Sequence, residues 1–360
     1  MATPETTPSF ASKLQVVAMQ TVVPAKVTDP GQRRRILGQT RPEMYKEHFH
    51  MVLYYNKANE EEDGWVLTGW MKDSLSRSLS EEPILAGRLQ HSPDNNEGEM
   101  AIALNDSGVR LVNAQIEATV SEFLNSEERG DVEAQLAFWK DVDEQNPHYS
   151  ALFYVQVTSF QGDGYSIGIT SSLLLADPIL VTSFIQKWTS TLNNIITENN
   201  HPNIPKFFFP NFRRTKELRS PILTPSPSNP FHYQTTIYKL TGAPEQSHAY
   251  KKIAALAFGK AGEKLSTISV IFIDRSGDRK VSTFNREEEG LDESIWSLEG
   301  VLSPTSWDDL RGEEVSFYKA NMPVCVSYHI VPKPDEGVVL IMPPLEEGSL
   351  ETTISITVPK

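Results

Sequence analysis

The chain has 360 residues and a formal net charge of −14, with 47 Asp and Glu against 33 Lys and Arg. Such an acidic balance argues against nucleic acid as a partner. A single cysteine, Cys325, excludes an intrachain disulfide and fits a reducing, cytoplasmic compartment.

The 39% apolar content is enough for two ordinary domains or one large one, and 24 prolines with 20 glycines imply many loops. The segment Met1–Lys13 is polar and lacks the apolar core of a secretory signal. The longest apolar runs, Ile268–Ile273 and Val338–Met342, have the length of strands and not of bilayer spans.

In chain order, Leu14–Val23 reads as a buried strand closed by the turn Pro24-Ala25. The basic run Arg33-Arg34-Arg35 lies between turn residues and reads as a solvated loop. Phe49–Tyr55 is a second strand. Trp65–Leu79 carries apolar residues at helical spacing (Val66, Trp70, Met71, Leu75, Leu79) and leads into Pro83-Ile84-Leu85-Ala86-Gly87-Arg88-Leu89. Met100–Leu104 and Val109–Ala114, joined by Asn105-Asp106-Ser107-Gly108, read as a β-hairpin. Thr119–Leu124 starts a short helix, and Phe153–Phe160 alternates as a half-buried strand.

Tyr165–Ile196 organises this half. A strand, Tyr165–Ser172, meets an Ala176-Asp177-Pro178 corner and then a helix. Val181, Phe184, Ile185, Trp188, Leu192, Ile195 and Ile196 line one face of that helix. Asp177 is placed to cap it, and Pro178 suits its first turn.

Residues 198–230 hold seven prolines among polar and basic residues and read as a linker or crossover, anchored by Phe207-Phe208-Phe209. Beyond it, Gln234–Leu240 is a strand, His248–Glu263 a helix, and Ser266–Ile273 a buried strand with the polar exit Asp274–Arg279. Glu314–Ser327, Val338–Met342 and Thr353–Val358 complete the strands.

The wording of these elements resembles the plant BAHD superfamily of acyl-CoA-dependent acyltransferases. The resemblance is carried by the Val23-Pro24-Ala25 turn, by Pro83–Leu89, and by Leu173-Leu174-Leu175-Ala176-Asp177-Pro178, which occupies the frame of the family's His-x-x-x-Asp-Gly. Asn105–Ala114 (NDSGVRLVNA) is similar to the eceriferum-type wax proteins in particular. The resemblance implies an α/β (α+β) fold of two chloramphenicol-acetyltransferase-like domains with mixed sheets flanked by helices. The expected division is 1–197, a Pro-rich crossover 198–230, and a shortened second domain 231–360.

In that family the histidine is a general base that takes the acceptor's proton during attack on the thioester. Here its place is taken by Leu173, which cannot titrate. Ser171 shares the face of Leu173 and Ser172 points to the other, but both read as packing serines. His329 could face the cleft as a substitute. The family's aspartate pairs structurally with an arginine, which makes Asp177 and Arg275 the expected pair; capping of the helix by Asp177 alone is the other reading. The family's Asp-Phe-Gly-Trp-Gly motif falls at Phe317–Pro323, where the aspartate and both glycines are missing. His48 and His50 have no third ligand nearby in sequence, so no metal site is expected.

The resemblance therefore implies a degenerate member. It would need no cofactor, and would use acyl-CoA if active. The expected role is that of a monomeric, non-catalytic accessory to very-long-chain fatty acid elongation in cuticular wax synthesis. Its partner would be the elongase condensing enzyme, met at the endoplasmic reticulum. Two alternatives stand beside it: an acyltransferase working by approximation without the histidine, and a cleft retooled for a lyase or cyclase step.

Overall fold

A computed structural model describes residues 9–38, 40–57, 64–92, 99–162, 164–198, 233–241, 247–262, 265–287, 302–318, 320–344 and 351–360. The first half runs α1 (Phe10–Lys13), β1 (Leu14–Val22), β2 (Arg33–Leu37), β3 (His48–Asn56), α2 (Gly64–Leu79), β4 (Arg88–His91), β5 (Met100–Ala103) and β6 (Val109–Ile116). It continues through α3 (Val120–Leu124), α4 (Arg129–Val132), β7 (Phe153–Phe160), β8 (Gly164–Ser172) and α5 (Pro178–Glu198). The second half holds β9 (Tyr233–Thr241), α6 (Ser247–Ala261), β10 (Thr267–Ile273), β11 (Arg279–Asn285), β12 (Leu302–Thr305), β13 (Cys325–Val331), β14 (Gly337–Met342) and β15 (Glu351–Pro359).

Among the described residues these strands form two mixed sheets. The first has the order β1-β6-β7-β8-β3-β13 and the second β12-β9-β15-β14-β10-β11-β2-β5-β4. One face of β3 buries Phe49, Met51, Leu53 and Tyr55 in the main core with α2 and α5, while His48, His50, Val52 and Tyr54 take the other face. The apolar stripe of α5 (Val181, Phe184, Ile185, Trp188, Leu192) is buried in that core. Trp188 Nε1 donates to Ser74 Oγ at 2.9 Å, which fixes α5 against α2 while satisfying the indole.

The second sheet is also two-faced. Ile268, Val270, Val339, Ile341, Ile354 and Ile356 pack under α6. Ile271, Ile273, Val338, Leu340 and Met342 turn the other way and join the main core, which also holds Leu173. The inner face of the second sheet and the β8–α5 corner thus share one apolar interior.

Three expectations are corrected. The run Arg33–Arg35 is a strand, β2, inside the second sheet and not a loop. Two of its three charges are met from distant sequence: Arg35 Nη2 lies 2.9 Å from Asp278 Oδ2, and Arg34 Nη2 3.9 Å from Glu82 Oε1. The expected hairpin does not form, because β5 pairs with β2 and β4 in the second sheet while β6 pairs with β1 and β7 in the first. The connecting turn is held elsewhere: the Asp106 carboxylate accepts from Thr28 N at 2.8 Å and Thr28 Oγ1 at 2.6 Å. Gly108 (φ +80°) lets the chain pass Val22, whose carbonyl oxygen a Cβ would strike. The strand expected at Glu314–Ser327 begins only at Cys325, after a 3₁₀ turn at Gly312–Glu314.

Both sheets draw on both halves of the chain. β13 closes the edge of the first sheet, and β2, β5 and β4 extend the second. The proline-rich segment with Phe207–Phe209 lies outside the described residues. No helix among the described residues is long and apolar enough to cross a membrane.

Candidate functional site

The β8–α5 corner is built by the backbone. Leu175 N and Ala176 N both donate to Ser172 O at 3.0 Å, and Leu174 N donates to Ser172 Oγ at 3.3 Å. Ser171 Oγ donates to Ser172 O at 3.1 Å. Both serines therefore serve the turn. Leu173 N donates to Glu47 O at 3.1 Å, which ties the corner to the start of β3. The Leu173 side chain is 1% exposed and belongs to the main apolar core.

Asp177 caps α5, its Oδ1 accepting from Ile179 N at 2.9 Å and Leu180 N at 3.0 Å. Its other oxygen lies 4.0 Å from Nη2 of Arg279. The expected arginine, Arg275, is exposed in the turn after β10. That turn reverses the chain, and β11 returns antiparallel with Arg279 opposite Ile273, so the inward-facing arginine comes four residues later. Arg279 is fully buried. Its Nε donates to Leu173 O at 3.3 Å and its Nη1 to Gly277 O at 2.6 Å. Burial, with Arg34 nearby, lowers its pKa to about 10 against the pull of Asp177, Asp278 and Asp274.

His329 is held elsewhere. It pairs in register with His50, which pairs with Thr170. Strand alternation puts this row on the face of β8 opposite Ser171 and Leu173. His329 Nε2 lies 2.9 Å from Glu133 Oε2. The other oxygen of Glu133 accepts from Tyr54 Oη at 2.6 Å, Ser327 Oγ at 2.8 Å and Arg129 Nη2 at 3.1 Å. Burial would raise the Glu133 pKa, but the bond and charge of His329, the Tyr54 hydroxyl and Arg129 outweigh it and hold the pKa at about 2. His48 stacks on Trp139 with ring centroids 4.6 Å apart, and burial lowers its pKa to about 4. Among the described residues no group of three or more His, Cys, Asp and Glu could hold a metal.

At the segment Phe317–Pro323, Phe317 is fully buried and meets Trp188 edge-on at 4.9 Å. Ala320 has φ +62°, a left-handed conformation natural to glycine. Asn321 Nδ2 donates to Asn56 O at 2.8 Å, which keeps the loop on the end of β3.

Sequence reasoning passed over Glu47. It is fully buried where the 3₁₀ turn Pro42–Lys46 enters β3, and neither carboxyl oxygen has a hydrogen-bond partner. Burial, reinforced by Glu336, raises its pKa to about 8. The available signal was a carboxylate directly ahead of a strand apolar enough to be buried on both faces.

A profile described as the Transferase family matches residues 12–254, more than half of the chain. The chain belongs to this family, the BAHD superfamily, and has eceriferum-like relatives within it. It is 26% identical over 143 residues to "Protein ECERIFERUM 26-like" of Arabidopsis thaliana, an alignment covering 40% of this chain and 32% of that protein. It is 23% identical over 185 residues to "Stemmadenine O-acetyltransferase" of Catharanthus roseus, covering 51% and 42%. The chain thus spans less than half the length of each of these curated relatives. The crystal structure of vinorine synthase shares the fold, with a TM-score of 0.51 and 16% identity over 96% of this chain and 95% of that one.

Proposed function

We propose that the chain is a BAHD-family protein that does not run histidine-based acyl transfer. It serves as a non-catalytic accessory in the elongation of very-long-chain fatty acids for cuticular wax, in contact with acyl-CoA and with an elongase condensing enzyme. The carrying observation is Leu173. The frame that holds the family's general base presents an aliphatic side chain, 1% exposed and packed in the core. Both neighbouring serines are engaged in the turn, and His329 is bonded to Glu133 on the opposite face.

The likeness to an eceriferum-type protein supports the accessory role and its wax context. Preservation of the Asp177–Arg279 pair fits a structural task that outlasts the chemistry. Association with the endoplasmic reticulum would come through the condensing enzyme.

The test is purified protein with acyl-CoA and mixed alcohol and amine acceptors, beside Leu173→His. The expected outcome is no turnover in either, together with co-purification of the condensing enzyme. Turnover that Leu173→His raises about 100-fold or more would instead mark an acyltransferase working by approximation, because a restored general base typically contributes about 10²–10⁴ in rate.

A further inference from the structure

Arg34 on β2 carries a charge that its neighbours do not satisfy. Its side chain is 16% exposed, and its guanidinium makes no hydrogen bond with any described residue. Nη1 is buried without a partner, and Nη2 stands 3.9 Å from Glu82 Oε1, beyond hydrogen-bond distance. The other acids around it are taken. Asp278 Oδ1 accepts from Arg35 N and its Oδ2 from Arg35 Nε, both at 3.0 Å. Asp274 Oδ1 accepts from Ser276 Oγ at 2.6 Å and from Asp278 N at 2.9 Å. Asp177 is spent on the start of α5. Arg279 is a second buried cation nearby, and the two guanidinium groups repel. Gly277 (φ +84°) lets the turn after β10 lie against Arg34, where a Cβ would stand 2.9 Å from its Cζ. The guanidinium is thus held in place with donors to spare.

Arg34 lines an open pocket of about 330 Å³ with Arg33, Ile84, Leu104, Ser276 and Asp278. The pocket lies where β2 has not yet joined β11, since the two pair only at Ile36 and Leu37. The 3₁₀ turn Pro83–Ala86 supplies Ile84, and Leu104 follows the end of β5. Among the described residues, the β8–α5 corner contributes nothing to this wall. Arg35 neutralises Asp278, and the proton of Ser276 is committed to Asp274. Arg33 is exposed and makes no ion pair with a described residue. The surplus charge of the wall is therefore positive, from Arg33 and Arg34. A guanidinium fork matches the two coplanar oxygens of a carboxylate. Glu82 and Asp278 bear on Arg34, so a dianion would be repelled more than a monoanion. Ile84 and Leu104 set hydrocarbon beside the charge, the mix of a small-molecule site.

We propose that this pocket binds a small organic monocarboxylate, its two oxygens on the Arg34 guanidinium, Arg33 adding charge at the mouth, and its hydrocarbon body against Ile84 and Leu104. The site binds and does not react. It stands apart from the corner of Leu173 and does not rest on the accessory role.

The probes are cyclohexanecarboxylate, its neutral counterpart cyclohexylmethanol, acetate and inorganic phosphate, each titrated into the full chain at pH 7 and followed by ligand-observed NMR. The wild type is expected to bind cyclohexanecarboxylate about tenfold or more tighter than the alcohol, the value of a charge-assisted hydrogen bond. Acetate, which lacks the body, and phosphate, which is partly dianionic, bind more weakly. Arg34→Gln loses about tenfold or more of the carboxylate affinity. Arg34→Lys keeps the charge without the fork and loses part of it. Leu104→Ser weakens cyclohexanecarboxylate and leaves acetate unchanged. Equal binding of carboxylate and alcohol, phosphate or acetate binding as tightly as cyclohexanecarboxylate, no saturable binding, or an affinity untouched by Arg34→Gln overturns the proposal. If Arg34→Gln does not fold, Arg34→Lys and Leu104→Ser decide, and unchanged affinity in both overturns it. None of these results bears on the accessory role.

Discussion

Arg279 holds Leu173 by its carbonyl: Nε donates to Leu173 O at 3.3 Å while Nη2 of the same guanidinium stands 4.0 Å from Asp177. One buried cation from the second sheet thus spans both ends of the corner that would carry the general base. The corner depends on this contact, because Arg279 is fully buried and has no solvent to fall back on.

Arg279→Met should therefore cost about 3–5 kcal/mol of unfolding free energy, mainly because Asp177 would be left buried beside a lost charge. Arg275→Met, on the exposed turn, should stay within about 0.5 kcal/mol. Urea midpoints at a common slope measure both. Equal effects would mean that the pair contributes nothing to stability.

Leu173 is read as core. Leu173→Ala should destabilise by about 2–5 kcal/mol through lost burial and a cavity. Leu173→Ile, which conserves volume, should cost less than about 1.5 kcal/mol. A tolerant Leu173→Ala, measured by thermal or urea unfolding, would mean that the slot is a ligand space and not a packed interior.

Glu47 and Glu133, both buried, act on stability in opposite directions. The folded pKa of Glu47 is raised to about 8 from a reference near 4.5. The folded state then binds the extra proton, so stability falls as pH rises from about 4.5 to 8, by at most about 1.4 kcal/mol per pH unit. Glu133, held at about 2, stabilises above pH 4.5, and that contribution is lost as pH falls toward 2. His48, neutral down to about pH 4, adds to the acid loss between its reference value of 6.5 and 4. Glu47→Gln should remove the fall in stability that Glu47 contributes between about pH 4.5 and 8, and leave the loss below pH 4.5 from Glu133 in place. An unchanged slope between pH 6.5 and 8 would contradict this assignment.

Ala320→Gly should stabilise the protein by about 1 kcal/mol, because φ +62° is strained for any residue with a Cβ. The gain is partly offset by the greater freedom of glycine in the unfolded chain. A lowered melting temperature would mean that this loop does not hold the left-handed conformation.

Local pattern made much of the fold legible. The helix of α5 with its Asp177 cap, the burial of β3, and the strands β7, β8, β10 and β14 follow from periodicity and turn residues close in sequence. Asn-Asp-Ser-Gly suits a hairpin locally, whereas the sheet that receives β5 is set by β2, 66 residues upstream in the pairing of Arg35 with Ala101. Arg33 and Arg35 are exposed as the sequence implies, but the strand that carries them is not legible locally, because Arg35 pairs with distant Ala101 and meets Asp278 243 residues away. Arg275 is the expected partner and Arg279 is not singled out, because a turn residue and an inward strand residue differ only by the register of β11 with β10.

From the sequence alone came the family wording, the two-part arrangement of helices and strands, and the absence of an imidazole at position 173. Those are properties of residue identity and short-range spacing, which the chain carries whether folded or not. Only the tertiary structure decided which arginine meets Asp177, that His329 belongs to Glu133, and that Glu47 is buried beside Ser269 of β10. Each of these depends on strand registers between distant segments. A shift of one residue sends a side chain to the opposite face of its sheet, and no local signal records it.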